Sequence, residues 1–191
     1  MNETAESVVK KAARIRLLIL DVDGVLTDGR LFFGDDGREF KAFHSRDGHG
    51  LKMLQAHGVD IAIISGRTSA AVTRRMAELS VRHVYQGIAD KIIAYTKLLE
   101  ELALRPEQTA YVGDDIVDLP VMARVGLAVA VADADAFVLR HAHWRTPHRG
   151  GLGAVRDVCE LILLAQNHLA SEQAACWPVS ASDTPSDTQL R

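Results

Sequence analysis

The stretch Ile15-Arg16-Leu17-Leu18-Ile19-Leu20-Asp21-Val22-Asp23-Gly24-Val25-Leu26-Thr27-Asp28 decides the fold. Its first half is a short apolar run ending in an acid, the pattern of a parallel strand buried on both faces. Two carboxylates, Asp21 and Asp23, follow two positions apart as the strand ends, so strand alternation aims both the same way. Gly24 then lets the chain turn at once. Paired like charges repel, so stability alone gives no reason to place them there. The pair suits a divalent cation, with one carboxylate free for nucleophilic attack. A solvated turn remains the bland account of a bare Asp-x-Asp.

Working outward, short apolar runs alternate with helix-like stretches. Residues 59–64, 84–85, 109–112 and 127–131 read as further strands, and 48–57, 68–79, 91–104, 115–125, 134–141 and 151–168 as helices. Residues 30–33 and 38–43 flank Gly34-Asp35-Asp36-Gly37, which carries the chemistry of a hairpin turn. Strand–helix alternation predicts an α/β fold with a doubly wound parallel sheet, whose ligands bind at the carboxyl ends of the strands. One domain is expected over 1–169, with the hairpin at about 29–43. Residues 170–191, rich in Ser, Thr and Pro, read as a disordered tail.

Composition limits the function. The 191 residues carry 22 Lys and Arg against 25 Asp and Glu, a formal charge of -3, which leaves no basic excess for non-specific nucleic-acid binding. No apolar run approaches the roughly 18 residues of a membrane span. The acidic N-terminus is unlike a secretory signal, and Cys159 and Cys176 are too few for a disulfide framework. A cytoplasmic location without membrane or nucleic-acid partners is expected.

Three more segments carry chemistry. Gly113-Asp114-Asp115-Ile116-Val117-Asp118 follows another buried strand. Asp115 and Asp118 are compatible with acids in the first turn of a helix, whereas Asp114, on the loop, is the better metal ligand. Hard oxygens without His or Cys favour magnesium over zinc. Ile64-Ser65-Gly66-Arg67 offers a hydroxyl and backbone N–H groups at a strand end, and Lys91 a compact positive charge at a helix start. Taken singly, Ser65 reads as a cap and Lys91 as a solvated cation. His141 and His143 lack a third ligand at a recognisable spacing for zinc.

The ordered set DxDGVLTD, ISGR, Lys91 and GDDxxD resembles the four motifs of the haloacid-dehalogenase-type phosphotransferases. Within that superfamily the segments LDVDGVLTDG, FKAFHSRDGHGLKML, AIISGR, GIADK, YVGDDIVDLPVM and GGLGAVRDVCELIL resemble the family of 3-deoxy-D-manno-octulosonate 8-phosphate (KDO 8-phosphate) phosphatases. The resemblance implies a magnesium-dependent phosphatase working through an aspartyl-phosphate. Asp21 would be the nucleophile and Asp23 the general acid and base. Ser65 and Lys91 would neutralise the phosphoryl oxygens, and magnesium would lie on Asp21, Asp114 and the backbone carbonyl of Asp23. Substrate contacts would come from Asp23, His44, Ser45, Arg46, Asp47, Gly48, Lys52, Gly66, Arg67, Arg75 and Lys91. The family often has Asn-Val where this chain has His44-Ser45.

Many relatives insert a cap domain after the first motif or between the second and third. Here the hairpin fills Asp23 to Asp47, and Ser65 to Lys91 has room for one helix and one strand. The chain is therefore expected to be capless. An open site excludes water poorly. The resemblance implies a homotetramer in which the hairpin flap, with Leu31, Phe32 and Phe33, closes a neighbour's site; packing on the chain's own sheet is the other account of those residues. Gly150-Gly151-Leu152-Gly153 resembles the family's stretch before its last helix. Two rival functions are a phosphatase of a related nonulosonate 9-phosphate and a catalytically silent structural partner. A phospho-acceptor receiver domain would place its Lys last, whereas Lys91 precedes the GDD cluster.

Overall fold

The computed structural model describes residues 4–176. The chain runs α1 (Ala5–Ala12), β1 (Leu17–Leu20), β2 (Phe32–Phe33), β3 (Glu39–Phe40), α2 (Ser45–Ala56), β4 (Asp60–Ile64), α3 (Ala70–Glu78), β5 (His83–Tyr85) and α4 (Lys91–Leu102). It continues through β6 (Thr109–Gly113), α5 (Leu119–Met122), β7 (Leu127–Ala130), α6 (Ala136–His141), β8 (Trp144–Arg145), α7 (Ala154–Ala165) and α8 (Leu169–Cys176). Six strands form one parallel sheet in the order β5-β4-β1-β6-β7-β8, and β2 pairs with β3 as a separate antiparallel hairpin. The expected doubly wound sheet and hairpin are both present.

The sheet puts the chemistry together. β1 is fully buried and lies between β4 and β6, with Leu20 level with Ile63 on one side and Val112 on the other. One or two residues further, the three strands deliver Asp21, Ser65 and Asp114 to one edge. The chain moves outward from β1 to β5, then crosses back to β6, so this edge is where the winding reverses and a crevice opens. Behind it, α1 and α2 pack on α7, and α4 packs on α5.

Two elements are added and two expectations change. The N-terminus forms α1, capped by Thr4, with Val8 and Ala12 facing inward. Its signal lies in Ala5, Val8, Val9 and Ala12, spaced as on one face of a helix. The single helix expected over 115–125 is a 3-10 turn at Ile116–Asp118 followed by the four-residue α5. Pro120 has no N–H to complete a helical ladder, and Asp118 spends its side chain on the loop before it. A short edge strand, β8, appears at Trp144, which packs against the core. The break expected at Ala170 is not observed: residues 169–176 form α8, anchored by His57 Nε2 to Glu172 at 2.8 Å and by His57 stacked on His168. Residues 177–191 of the expected tail lie outside the described residues.

The Gly150 segment acts within its own chain. It lies against the turn that follows Asp23, and Gly151 donates to the carbonyl of Val25 at 2.9 Å. A Cβ on Gly150 would stand 1.7 Å from the Gly24 carbonyl oxygen. Gly150→Ala must therefore displace one of two backbones. It is expected to cost about 1–3 kcal/mol in denaturant unfolding and to lower turnover with it. Wild-type stability in this variant would contradict the buttressing role.

Candidate active site

Asp21, Asp23, Ser65, Gly66, Arg67, Lys91, Asp114 and Asp115 line one cavity of about 300 Å³ at the carboxyl edge of the sheet. Gly24 makes this convergence feasible. Its φ of +90° allows an immediate turn, and a Cβ there would lie 2.0 Å from Asp114 Oδ2.

Lys91 opens α4, whose N-cap is Asp90, and its side chain is buried. Its ammonium lies 3.0 Å from Asp21 Oδ1, 2.6 Å from Asp118 Oδ1 and 3.2 Å from the Tyr111 hydroxyl. Tyr111 itself donates to Asp118 Oδ1 at 2.7 Å. The other oxygen of Asp118 accepts the backbone N–H groups of Asp114 and Asp115, at 3.0 and 3.3 Å. All four acceptor positions of that carboxylate are thus used. Asp118 is a support that fixes Lys91 and the Asp114 loop, as well as the first-turn acid its position suggested.

Carboxylate oxygens of Asp21, Asp114 and Asp118 fall within 4.8 Å of one another. Three carboxylates against one ammonium leave the cluster electronegative. Burial, reinforced by Asp118, pushes Asp21 up to about 6 although Lys91 opposes this. Burial, with Asp118, Asp21 and Asp115, pushes Asp114 up to about 7. Burial also works against the charge on Lys91, but Asp21 and Asp118 outweigh it and its pKa is raised. With Asp118 saturated, the free oxygens belong to Asp21 and Asp114. This all-oxygen donor set, short of positive charge, fits a hard divalent ion such as magnesium. His141 and His143 instead meet backbone atoms, the Phe137 carbonyl and the Ala128 N–H, so neither joins a metal cluster among the described residues.

Asp23 lines the hairpin side of this cavity. Lys41 Nζ donates to its Oδ1, and Arg67 Nε lies 3.5 Å from its Oδ2. Glu39 closes the group, 2.9 Å from Arg67 and 3.3 Å from Lys41. Lys41 and Glu39 were not among the expected site residues. Their one available signal is alternation, since Glu39 and Lys41 share a strand face while Phe40 points outward. Ser65 is buried at the head of its loop, its Oγ accepting the Arg67 N–H at 3.4 Å.

The remaining expected substrate contacts do not line this cavity within one chain. His44 caps α2 by accepting the Arg46 N–H at 3.3 Å. Asp47 is 1% exposed and accepts the Arg156 N–H at 2.8 Å, capping α7 from its neighbour helix. Gly48 is closed off by Arg75, whose guanidinium would stand 2.3 Å from a Cβ there. Asp47 and Gly48 are thus packing residues of the α2 layer in this chain. Arg75 pairs with Glu78 at 3.3 Å, while Ser45, Arg46 and Lys52 are exposed.

Known proteins share the sequence and the fold. Residues 83–155 match the model of the haloacid dehalogenase-like hydrolase family. The chain is 53% identical over 165 residues to the 3-deoxy-D-manno-octulosonate 8-phosphate phosphatase KdsC of Yersinia pestis, covering 86% of this chain and 88% of that one. The crystal structure of the Yersinia pestis phosphatase superposes with a TM-score of 0.86 at 50% identity, covering 89% and 94% of the two chains. The corresponding phosphatase of Moraxella catarrhalis, solved with a magnesium ion, a phosphate ion and a KDO molecule, superposes with a TM-score of 0.89 at 39% identity, covering 91% and 99%.

The raised carboxylates set a pH test for the cation. An acid with a folded pKa above its unfolded value of 3.8 binds more protons folded than unfolded, so metal-free stability falls as pH rises from about 4 to 7. A cation that needs both groups ionised reverses this above that window. Thermal unfolding should therefore respond little to magnesium at pH 5. At pH 8 it should rise by about 5–10 °C when magnesium exceeds its Kd about 100-fold. An equal shift at both pH values would contradict the assignment.

Proposed function

The chain belongs to the 3-deoxy-D-manno-octulosonate 8-phosphate phosphatase family of haloacid dehalogenase-like hydrolases, and from this we propose that it hydrolyses KDO 8-phosphate to KDO and phosphate. The observation that carries the reading is the convergence of Asp21, Asp23, Ser65, Lys91 and Asp114 on one strand-end cavity. Those are the residue types, in the order, that an aspartyl-phosphate mechanism needs.

Asp21 is the nucleophile: one oxygen attacks phosphorus while Lys91, 3.0 Å away, holds the side chain in place. Asp23 delivers a proton to the leaving sugar oxygen, then takes one from the water that opens the aspartyl-phosphate. Ser65, the backbone N–H of Gly66, and Lys91 receive the phosphoryl oxygens. Arg67, half exposed beside Asp23, is placed to meet the sugar-acid end. Magnesium would be held by Asp21, Asp114 and the Asp23 carbonyl, and would neutralise charge on the phosphoryl group. On this reading the chain serves lipopolysaccharide precursor synthesis in the cytoplasm. No described helix is long and apolar enough to cross a membrane.

The rest of the substrate would be met in a homotetramer. Leu31, Phe32, Phe33 and Phe40 are exposed on the hairpin, an apolar patch at odds with water. We assign its tip to a neighbour's site, where His44, Ser45, Arg46, Lys52 and Arg75 also become candidates. Light scattering should give about four times the 20.8 kDa chain mass, and a monomer would remove the shared site.

Phosphate release from KDO 8-phosphate, in parallel with a related nonulosonate 9-phosphate and with and without magnesium, tests the substrate. The expected result is magnesium-dependent preference for the 8-phosphate. Preference for the 9-phosphate would move the chain to the neighbouring specificity, and inactivity toward both would favour a silent structural role. Asp21→Asn should reduce turnover to background with the fold retained by circular dichroism; near wild-type activity would overturn the nucleophile.

A further inference from the structure

Lys41 is the most enclosed charge in the hairpin, its side chain only 1% exposed. It reaches from the strand-exit of β3 to Asp23, the proposed acid and base, and touches Glu39 at 3.3 Å. Arg67 meets the opposite oxygen of Asp23 at 3.5 Å and Glu39 at 2.9 Å. Four charges therefore alternate in sign around a closed ring, Asp23–Lys41–Glu39–Arg67. Burying an ammonium is costly, and a buried ion pair is weak evidence for stability. The hairpin it belongs to is two residues long on each strand and leaves its phenylalanines in water, so packing does not explain the burial.

Geometry supplies a reason. Asp23 sits on a loop beyond the strand, and one hydrogen bond would leave its carboxylate free to swing. Lys41 donates to one oxygen and Arg67 pairs with the other across 3.5 Å, which together fix its plane, and Lys41, held in turn by Glu39, is the buried partner. We infer that Lys41 is a positioning residue for Asp23, aiming its carboxyl at the leaving-group oxygen and so tying the hairpin's seating to proton transfer. Its ammonium is too enclosed to meet substrate directly. In the step concerned, the bond from Asp21 to phosphorus forms as the bond from phosphorus to the sugar oxygen breaks, and the Asp23 proton moves to that oxygen.

This rests on the phosphatase reading, and leaving-group chemistry tests it. A sugar alkoxide is a poor leaving group and needs the proton; p-nitrophenolate is a good one and does not. The ratio kcat/KM covers only events up to departure of the leaving group, so it isolates this transfer from hydrolysis of the aspartyl-phosphate. Lys41→Met should lower kcat/KM for KDO 8-phosphate by about 10–100-fold, the scale of misaligned acid catalysis, with p-nitrophenyl phosphate changed by less than about 3-fold. Lys41→Gln, which keeps a neutral donor, should fall between wild type and Lys41→Met, and it carries the same criterion should the methionine variant fail to fold. Equal losses on the two substrates would mean a structural role, a rise in KM alone a substrate contact, and wild-type behaviour no role; each overturns the inference. Wild-type protein inactive on both phosphates would overturn the phosphatase reading as well, whereas an active wild type with undiscriminating variants removes only the role of Lys41.

Discussion

Everything at the sheet edge depends on one buried ammonium. Lys91 is held by Asp118 and Tyr111 from β6 and its following turn, and by Asp21 from β1. The contact joins the start of α4 to two neighbouring strands at the cavity. Removing the ammonium from such a cluster leaves buried carboxylates uncompensated, at a cost of about 3–5 kcal/mol. The nucleophile and the element facing it are therefore held in register by the interaction that sets the charge of the site. The cluster is not neutral by itself, since Asp114 adds a further carboxylate within reach of Asp21 and Asp118. Protons or a divalent ion must make up the difference, and which of them does so is a question of pH.

That dependence explains which parts of the site were legible in the sequence. Asp21, Ser65 and Asp114 each end a strand with both faces buried, and such strands announce themselves as unbroken apolar runs. Once the sheet is parallel, its carboxyl ends must lie side by side, so placing the strands also placed the residues after them. Lys91 required only that its helix start at the same edge. Lys41 and Glu39 had no such route. They lie on a hairpin whose fold over Asp23 is a tertiary event, and Asp23 gives no local sign of which cation it will meet. For Asp47 the resemblance points to substrate, whereas within one chain packing of α2 against α7 turns its carboxylate onto the Arg156 N–H.

The fold was legible to a similar depth. Its central strands and long helices follow from hydrophobic period, whereas β8 and α8 bury too few side chains to produce one. The break between Ile116 and Leu119 was hidden because the residues have helical spacing. What ended the helix was a side chain turning back, Asp118 accepting N–H groups that a longer helix would have had to satisfy otherwise.

Two carboxylates separated by one residue thus end in different electrostatic company. Asp21 is set by the core, through a lysine that no surface movement reaches. Asp23 is set by the periphery, through a lysine on a hairpin with little packing of its own. A capless chain has no domain to fold over its substrate, so closure must come from a small element or from another subunit. Linking that element to the acid rather than to the nucleophile leaves phosphate capture independent of the hairpin, while departure of the sugar depends on its being seated. The division matches the chemistry: the nucleophile needs one fixed position throughout, and the acid needs its position only when the leaving group is in place.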